Sequence, residues 1–150
     1  MKDEKARAGF AHEMVMMNLA IFHLLLPAVA LSSGYVSPLL SLALIGSAVM
    51  IFWVARRAYQ TEDVVLVKTH WKLAWKRCRL LLISYAVASV IMLLGLLFAS
   101  LQVDQNMFTI MLVVFSRIAA VPIVLVVLAL FVMETTALSQ ARQGEMPTKV

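Results

Sequence analysis

The sequence predicts an all-α integral membrane protein with four transmembrane helices. Three observations lead there: a composition too apolar for water, four apolar runs of spanning length, and basic residues confined to alternate connections. Of the 150 residues, 63% are hydrophobic and 14% charged, with a mean hydropathy of +0.92. A soluble domain is typically about 45–50% apolar and about 25% charged. A chain of this length is expected to form a single four-helix membrane domain, residues 1–150.

The four runs cover about 14–31, 38–55, 80–101 and 108–133. Each is close to the roughly 20 helical residues that cross a hydrocarbon core of about 30 Å. Between the first two runs, Ser32 to Ser37 carries no charge, and between the last two, Gln102 to Met107 carries only Asp104. Connections this short make the members of each pair antiparallel neighbours.

Basic residues set the orientation. Lys2, Lys5 and Arg7 precede the first run; Arg56, Arg57, Lys68, Lys72, Lys76, Arg77 and Arg79 lie between the second and third; Arg142 and Lys149 follow the fourth. All twelve fall on one side, so the positive-inside rule predicts that both termini are cytoplasmic, in an inner-membrane protein. Trp53, Trp71 and Trp75 fall on the same side, where aromatic rings anchor helix ends at headgroup level. Ala28-Val29-Ala30 has the form of a leader-peptidase site, but Asp3, Glu4 and Glu13 cancel the positive charge that a secretory leader needs. The first run is therefore expected to remain as a span.

Between the second and third runs, Thr61 is placed to cap a helix whose first turn holds Glu62 and Asp63. Val64, Val67, Trp71, Ala74, Trp75 and Cys78 then fall on one helical face, with Lys68, Lys72, Lys76 and Arg79 on another. This predicts a basic amphipathic interfacial helix over about 62–79, which turns or runs straight into the third run and in which those four cations, Trp71 and Trp75 touch anionic lipid headgroups. Cys78 is expected to serve as a small apolar residue at a helix start, the alternative being a thiol whose pKa the flanking Arg77 and Arg79 lower. One cysteine excludes an internal disulfide.

Within the runs the polar residues are few. Arg117 is the one cation there, about nine residues from the outer end of its run, and His23 lies about eight residues from the outer end of the first. Both depths are roughly 12–14 Å by helical rise, so the two residues are expected at one level. Pro27 and Pro122 kink their helices and release the carbonyls of His23 and Ile118. A polar node of Arg117, His23, Asn18 and those carbonyls is the intramembrane site the sequence offers. Insertion does not demand it: the sixteen Leu, Ile, Val and Phe residues from Ile110 to Val132 outweigh the roughly 3 kcal/mol that one Arg costs.

Small residues mark helix contacts: Ser84, Ala88, Gly95 and Ala99 in the third run, Ala43 and Ser47 in the second, Ser116 and Ala120 in the fourth. His12-Glu13 begins as a zinc-protease helix does, but Met16 stands where the second His is required. The chain carries no nucleophile–base pair, metal cage or glycine-rich phosphate loop, so neither catalysis nor a cofactor or metal is expected. No recognition motif accompanies the basic clusters, so nucleic acid is not an expected partner. The sequence thus predicts an accessory or scaffold subunit of a membrane complex, with a protein partner or a homo-oligomer. The alternative is a small oligomeric transporter or channel that moves an anion or protons past Arg117 and His23.

Overall fold

Each apolar run lies inside one longer helix. The computed structural model describes residues 2–60 and 64–147. Its helices are α1 (Lys2–Ser33), α2 (Val36–Tyr59), α3 (Val65–Ser100) and α4 (Gln105–Gln143), and the described residues contain no strand. All four are long and apolar enough to cross a membrane. With 36 and 39 residues, α3 and α4 are about 54 and 58 Å long, well beyond a hydrocarbon core. The surplus lies at the basic end, where α1, α3 and α4 each run ten or more residues past their apolar segments.

From Val65 the expected basic helix runs straight on into the third span, one of the two courses its sequence left open. Helix continues through Arg79 and Leu80 without a break, so residues 65–79 and the span form one element. The amphipathic stripe is real but turns inward: Val67, Trp71, Ala74 and Cys78 are all buried. Trp71 is therefore withdrawn from the headgroup role, its ring packing edge-on against Trp53 (5.6 Å) and Phe10 (6.4 Å). Lys72, Lys76 and Arg79 are exposed, and Lys68 and Trp75 are half-buried. The capping roles read for Thr61, Glu62 and Asp63 lie outside the described residues.

The two prolines act differently. Pro27 has no N–H and its ring crowds the carbonyl of His23, and the chain widens just before it into a π-helical stretch, Leu19–Leu25, in which the Leu26 N–H reaches the Ile21 carbonyl. Pro122 sits inside α4, which stays helical throughout. Turn chemistry closes the helices. Gly34, at φ 77°, ends α1 in the left-handed conformation that glycine adopts without strain. Asp104 caps α4: its carboxylate accepts the Asn106 N–H at 2.8 Å. That contact gives the lone acid of the apolar-side connections a structural role. At the far end of α4, the Glu145 N–H donates to the Gln140 carbonyl and the Gly144 N–H to that of Ala141, a Schellman turn with Gly144 at φ 81°.

The chain divides into two compact units, Met1–Cys78 with Ala129–Val150, and Arg79–Leu128. In the first, Phe22 lies over Gly46, so close that a methyl there would clash with its ring carbons. In the second, Phe115 covers Gly95 in the same way and stacks on Phe98 at 6.0 Å. The small-residue stripes Ala43/Ser47 and Ser84/Ala88/Gly95/Ala99 are buried, whereas Ser116 and Ala120 are exposed.

Gly46→Ala is expected to destabilise the detergent-solubilised protein by about 1–3 kcal/mol through overpacking. Gly9→Ala, whose new methyl would meet Leu138 Cδ1 at 3.4 Å and Arg142 Cγ at 3.8 Å, both ordinary contacts with side chains, is expected to be neutral or stabilising by up to about 1 kcal/mol. Thermal unfolding followed by circular dichroism reads both.

Candidate functional site

The basic extensions of α1, α3 and α4 build a buried polar chain in the first unit. Alanines make it possible: Ala8 and Ala11 on α1, Ala74 on α3, and Ala137 and Ala141 on α4 are buried and let the helices approach. Val15, Val67 and Leu130 add buried apolar cover. Among these residues α1 contributes His12, α3 contributes His70 and Arg77, and α4 contributes Glu134. His12, His70 and Glu134 are fully buried, and Arg77 is 9% exposed.

The four are joined end to end. Glu134 Oε2 lies 2.6 Å from His12 Nδ1, His12 Nε2 lies 2.9 Å from His70 Nδ1, and His70 Nε2 lies 3.0 Å from the Glu145 carbonyl oxygen. Arg77 Nη1 approaches the same Glu134 oxygen at 3.4 Å. The Schellman turn described above is what aims the Glu145 carbonyl at His70. The contact with Glu145 also settles donor roles along the chain. A carbonyl can only accept, so His70 Nε2 carries a proton. Burial holds His70 below the ordinary imidazole range, an effect the Glu145 contact opposes and the His12 and Arg77 charges reinforce. A neutral His70 leaves Nδ1 to accept, so His12 Nε2–H donates to it. One further proton is shared between His12 Nδ1 and Glu134. Three contacts thus take three protons, and losing or gaining one sets two acceptors or two donors face to face.

The arrangement is linear rather than convergent: the two ring nitrogens of His12 point to different partners, and among the described residues no three His, Cys, Asp or Glu side chains gather as metal ligands do. Glu134 Oε1 and Arg77 Nε are buried without a hydrogen-bond partner among the described residues. Cys78, beside Arg77, is buried, and its thiol is pushed up to about 12 by that burial and by the Glu134 charge. Its basic neighbours in sequence do not activate it.

No family model, curated protein or solved structure matches the chain. The site therefore rests on its own chemistry. Of the residues expected in the polar node, Asn18 and His23 are neighbours, with His23 Nδ1 3.1 Å from the Asn18 carbonyl. The Asn18 side chain is buried, and among the described residues neither end of its amide is hydrogen-bonded. Arg117 belongs to the second unit and is exposed.

Sequence reasoning missed the polar chain. His12 precedes the first apolar run, Glu134 follows the fourth, and His70 and Arg77 precede the third, so all four look like surface residues when burial is equated with the apolar runs. A signal was present: His70 and Arg77 are seven residues apart, immediately preceding Trp71 and Cys78 of the inward stripe, and so share its face.

Glu134→Leu is expected to destabilise the protein by about 3–5 kcal/mol, because it strands the Arg77 and His12 charges. The double variant His12→Leu/Glu134→Leu should recover part of that loss, and chemical unfolding of the four proteins as a double-mutant cycle measures the coupling. The depressed pKa of His70 means that the unfolded chain binds more protons than the folded one just below the ordinary value of 6.5. Stability should therefore fall as pH drops below about 6.5, and His70→Gln should flatten that dependence.

Proposed function

We propose that this protein is a small multi-pass subunit of the cytoplasmic membrane, with both termini cytoplasmic, which serves as an accessory or scaffold of a membrane complex rather than as a catalyst. The placement of Arg117 carries the reading. The arginine is exposed at spanning depth on α4, between Ser116 and Ala120 on one side of the helix, and only 11% of the apolar window of α4 is buried within the protein. Facing lipid, an Arg costs about 3 kcal/mol, whereas small neighbours allow another helix to approach closely and satisfy the guanidinium. A protein partner or a further copy of the chain provides that helix. The confinement of basic residues to one side supports the orientation. Lys72, Lys76 and Arg79, exposed, support contact with anionic headgroups at the cytoplasmic face, each contributing on the order of 1 kcal/mol.

A second reading, proton or anion transport, is favoured by a different observation. His12, Asn18 and His23 follow one another along α1, leading from the buried polar chain into the π-helical stretch, and π segments recur at functional sites. In that reading the shared protons of His12, His70 and Glu134 are the cargo's entry point.

Gentle extraction followed by native mass measurement distinguishes the two. The scaffold reading expects a complex with a second protein or with further copies, lost in Arg117→Gln while the helical content and thermal unfolding of the subunit are retained. A monomeric wild-type protein that carries protons or an anion across liposomes would overturn it in favour of transport.

A further inference from the structure

The first unit contains a second feature, open to solvent and separate from the buried polar chain. A cleft of about 630 Å³ at its basic end is bordered by Lys2, Lys5 and Arg7 of α1, Arg57 of α2 and Arg142 of α4, with Glu13 the one acid among the described residues that line it. Phe10 and Trp71 supply apolar wall. We propose that this cleft binds the phosphate group of an anionic phospholipid, one molecule per chain.

Charge is the first argument. Five cations from three helices line the cleft with one carboxylate among the described residues, and that carboxylate is already engaged, Glu13 Oε1 accepting from Arg142 Nη2 at 2.9 Å. Even with Asp3 and Glu4, from the same end of α1, counted against them together with Glu13, five cations face three carboxylates, and a bound anion relieves the surplus. Its cations are also held in place. Lys5 Nζ donates to the Gln143 carbonyl at 2.8 Å, and Arg57 lies over the Trp53 ring at 5.7 Å while Nη1 donates to Gln60 Oε1 at 3.0 Å. A guanidinium fixed by one edge presents the other as the two-pronged donor that suits a phosphate.

Shape and position choose the lipid. The volume falls in the range of small-molecule sites, about 300–1,000 Å³, and is too small for a folded partner. Phe10, 43% exposed, offers surface that a free phosphate would leave unused and that a glycerol backbone or acyl chain would cover. Phe10 lies four residues before the apolar run of α1, and Arg57 two residues after that of α2. By helical rise these are about 6 Å and 3 Å from the hydrocarbon edge, within the headgroup layer, which is roughly 5–8 Å deep on each side. The cleft is distinct from the outward face of α3, where Lys72, Lys76 and Arg79 meet the membrane only as a charged surface.

The full-length protein, delipidated in neutral detergent, is titrated with phosphatidylglycerol and with phosphatidylcholine and read by native mass spectrometry. One phosphatidylglycerol should be retained per chain in preference to phosphatidylcholine. Arg57→Gln/Arg142→Gln should weaken retention about 30-fold, two charges at roughly fivefold each, and Arg57→Lys/Arg142→Lys should recover most of it. Lys72→Gln/Lys76→Gln/Arg79→Gln should leave it unchanged, although that variant weakens attachment to anionic vesicles if the surface contact proposed above holds. Equal retention of the two lipids, or retention unaffected by the Arg57/Arg142 pair, overturns the site. Competition by inorganic phosphate or glycerol 3-phosphate at the lipid's own affinity overturns the lipid as its occupant, as does competition by an acidic peptide.

Discussion

Glu134 cannot be buried alone. A carboxylate taken out of water loses several kcal/mol of hydration, and here His12 at 2.6 Å and Arg77 at 3.4 Å replace that hydration. Much else follows from that requirement. The partners come from α1 and α3, so those helices must reach beyond their apolar segments to the level of Glu134, and they do so as unbroken helix. The alanines that line all three extensions bring the backbones close enough for short side chains to bridge. Even the glycine that ends α4 serves it, because the turn at Gly144 delivers the carbonyl that gives His70 a partner for its second ring nitrogen.

Such a cluster adds little net stability compared with apolar residues of the same volume; its contribution is to specificity. Apolar helices in lipid have many nearly equivalent ways to pack, since lipid removes the hydrophobic drive for association. A carboxylate with one acceptable pair of neighbours removes most of those alternatives within the first unit. The tight contacts of Phe22 over Gly46 and of Phe115 over Gly95 do the same sterically, one in each unit. Electrostatic and steric selection thus divide the work: the polar chain acts at the basic end of the helices, and the aromatic–glycine contacts act along the apolar segments.

How much of this was legible varies with the physics behind each feature. Spans follow from hydropathy because lipid imposes one requirement on every residue of a run, and four helices of spanning length are present. The stripe of Val67, Trp71, Ala74 and Cys78 was legible as periodicity but not as direction: an apolar face fits a bilayer and a protein interior equally well, and Trp71 turned to the interior. Pro27 was legible as a disturbance, but its resolution as a π-helical stretch depends on neighbouring turns. The polar chain was not legible as a site because its members are separated by as many as 122 residues, and each alone resembles an ordinary solvated residue at a helix end. Asp104, unexplained in the sequence, proved to be a helix cap.

The sequence separation of His12 and Glu134 has a consequence for biogenesis. In elongation Glu134 is added 122 residues after His12, so the carboxylate is made only after all four apolar segments. Until then His12 and Arg77 have no carboxylate of α4 to meet. Closure of the cluster is thereby a late event, available only to a chain whose α4 is complete as far as Glu134.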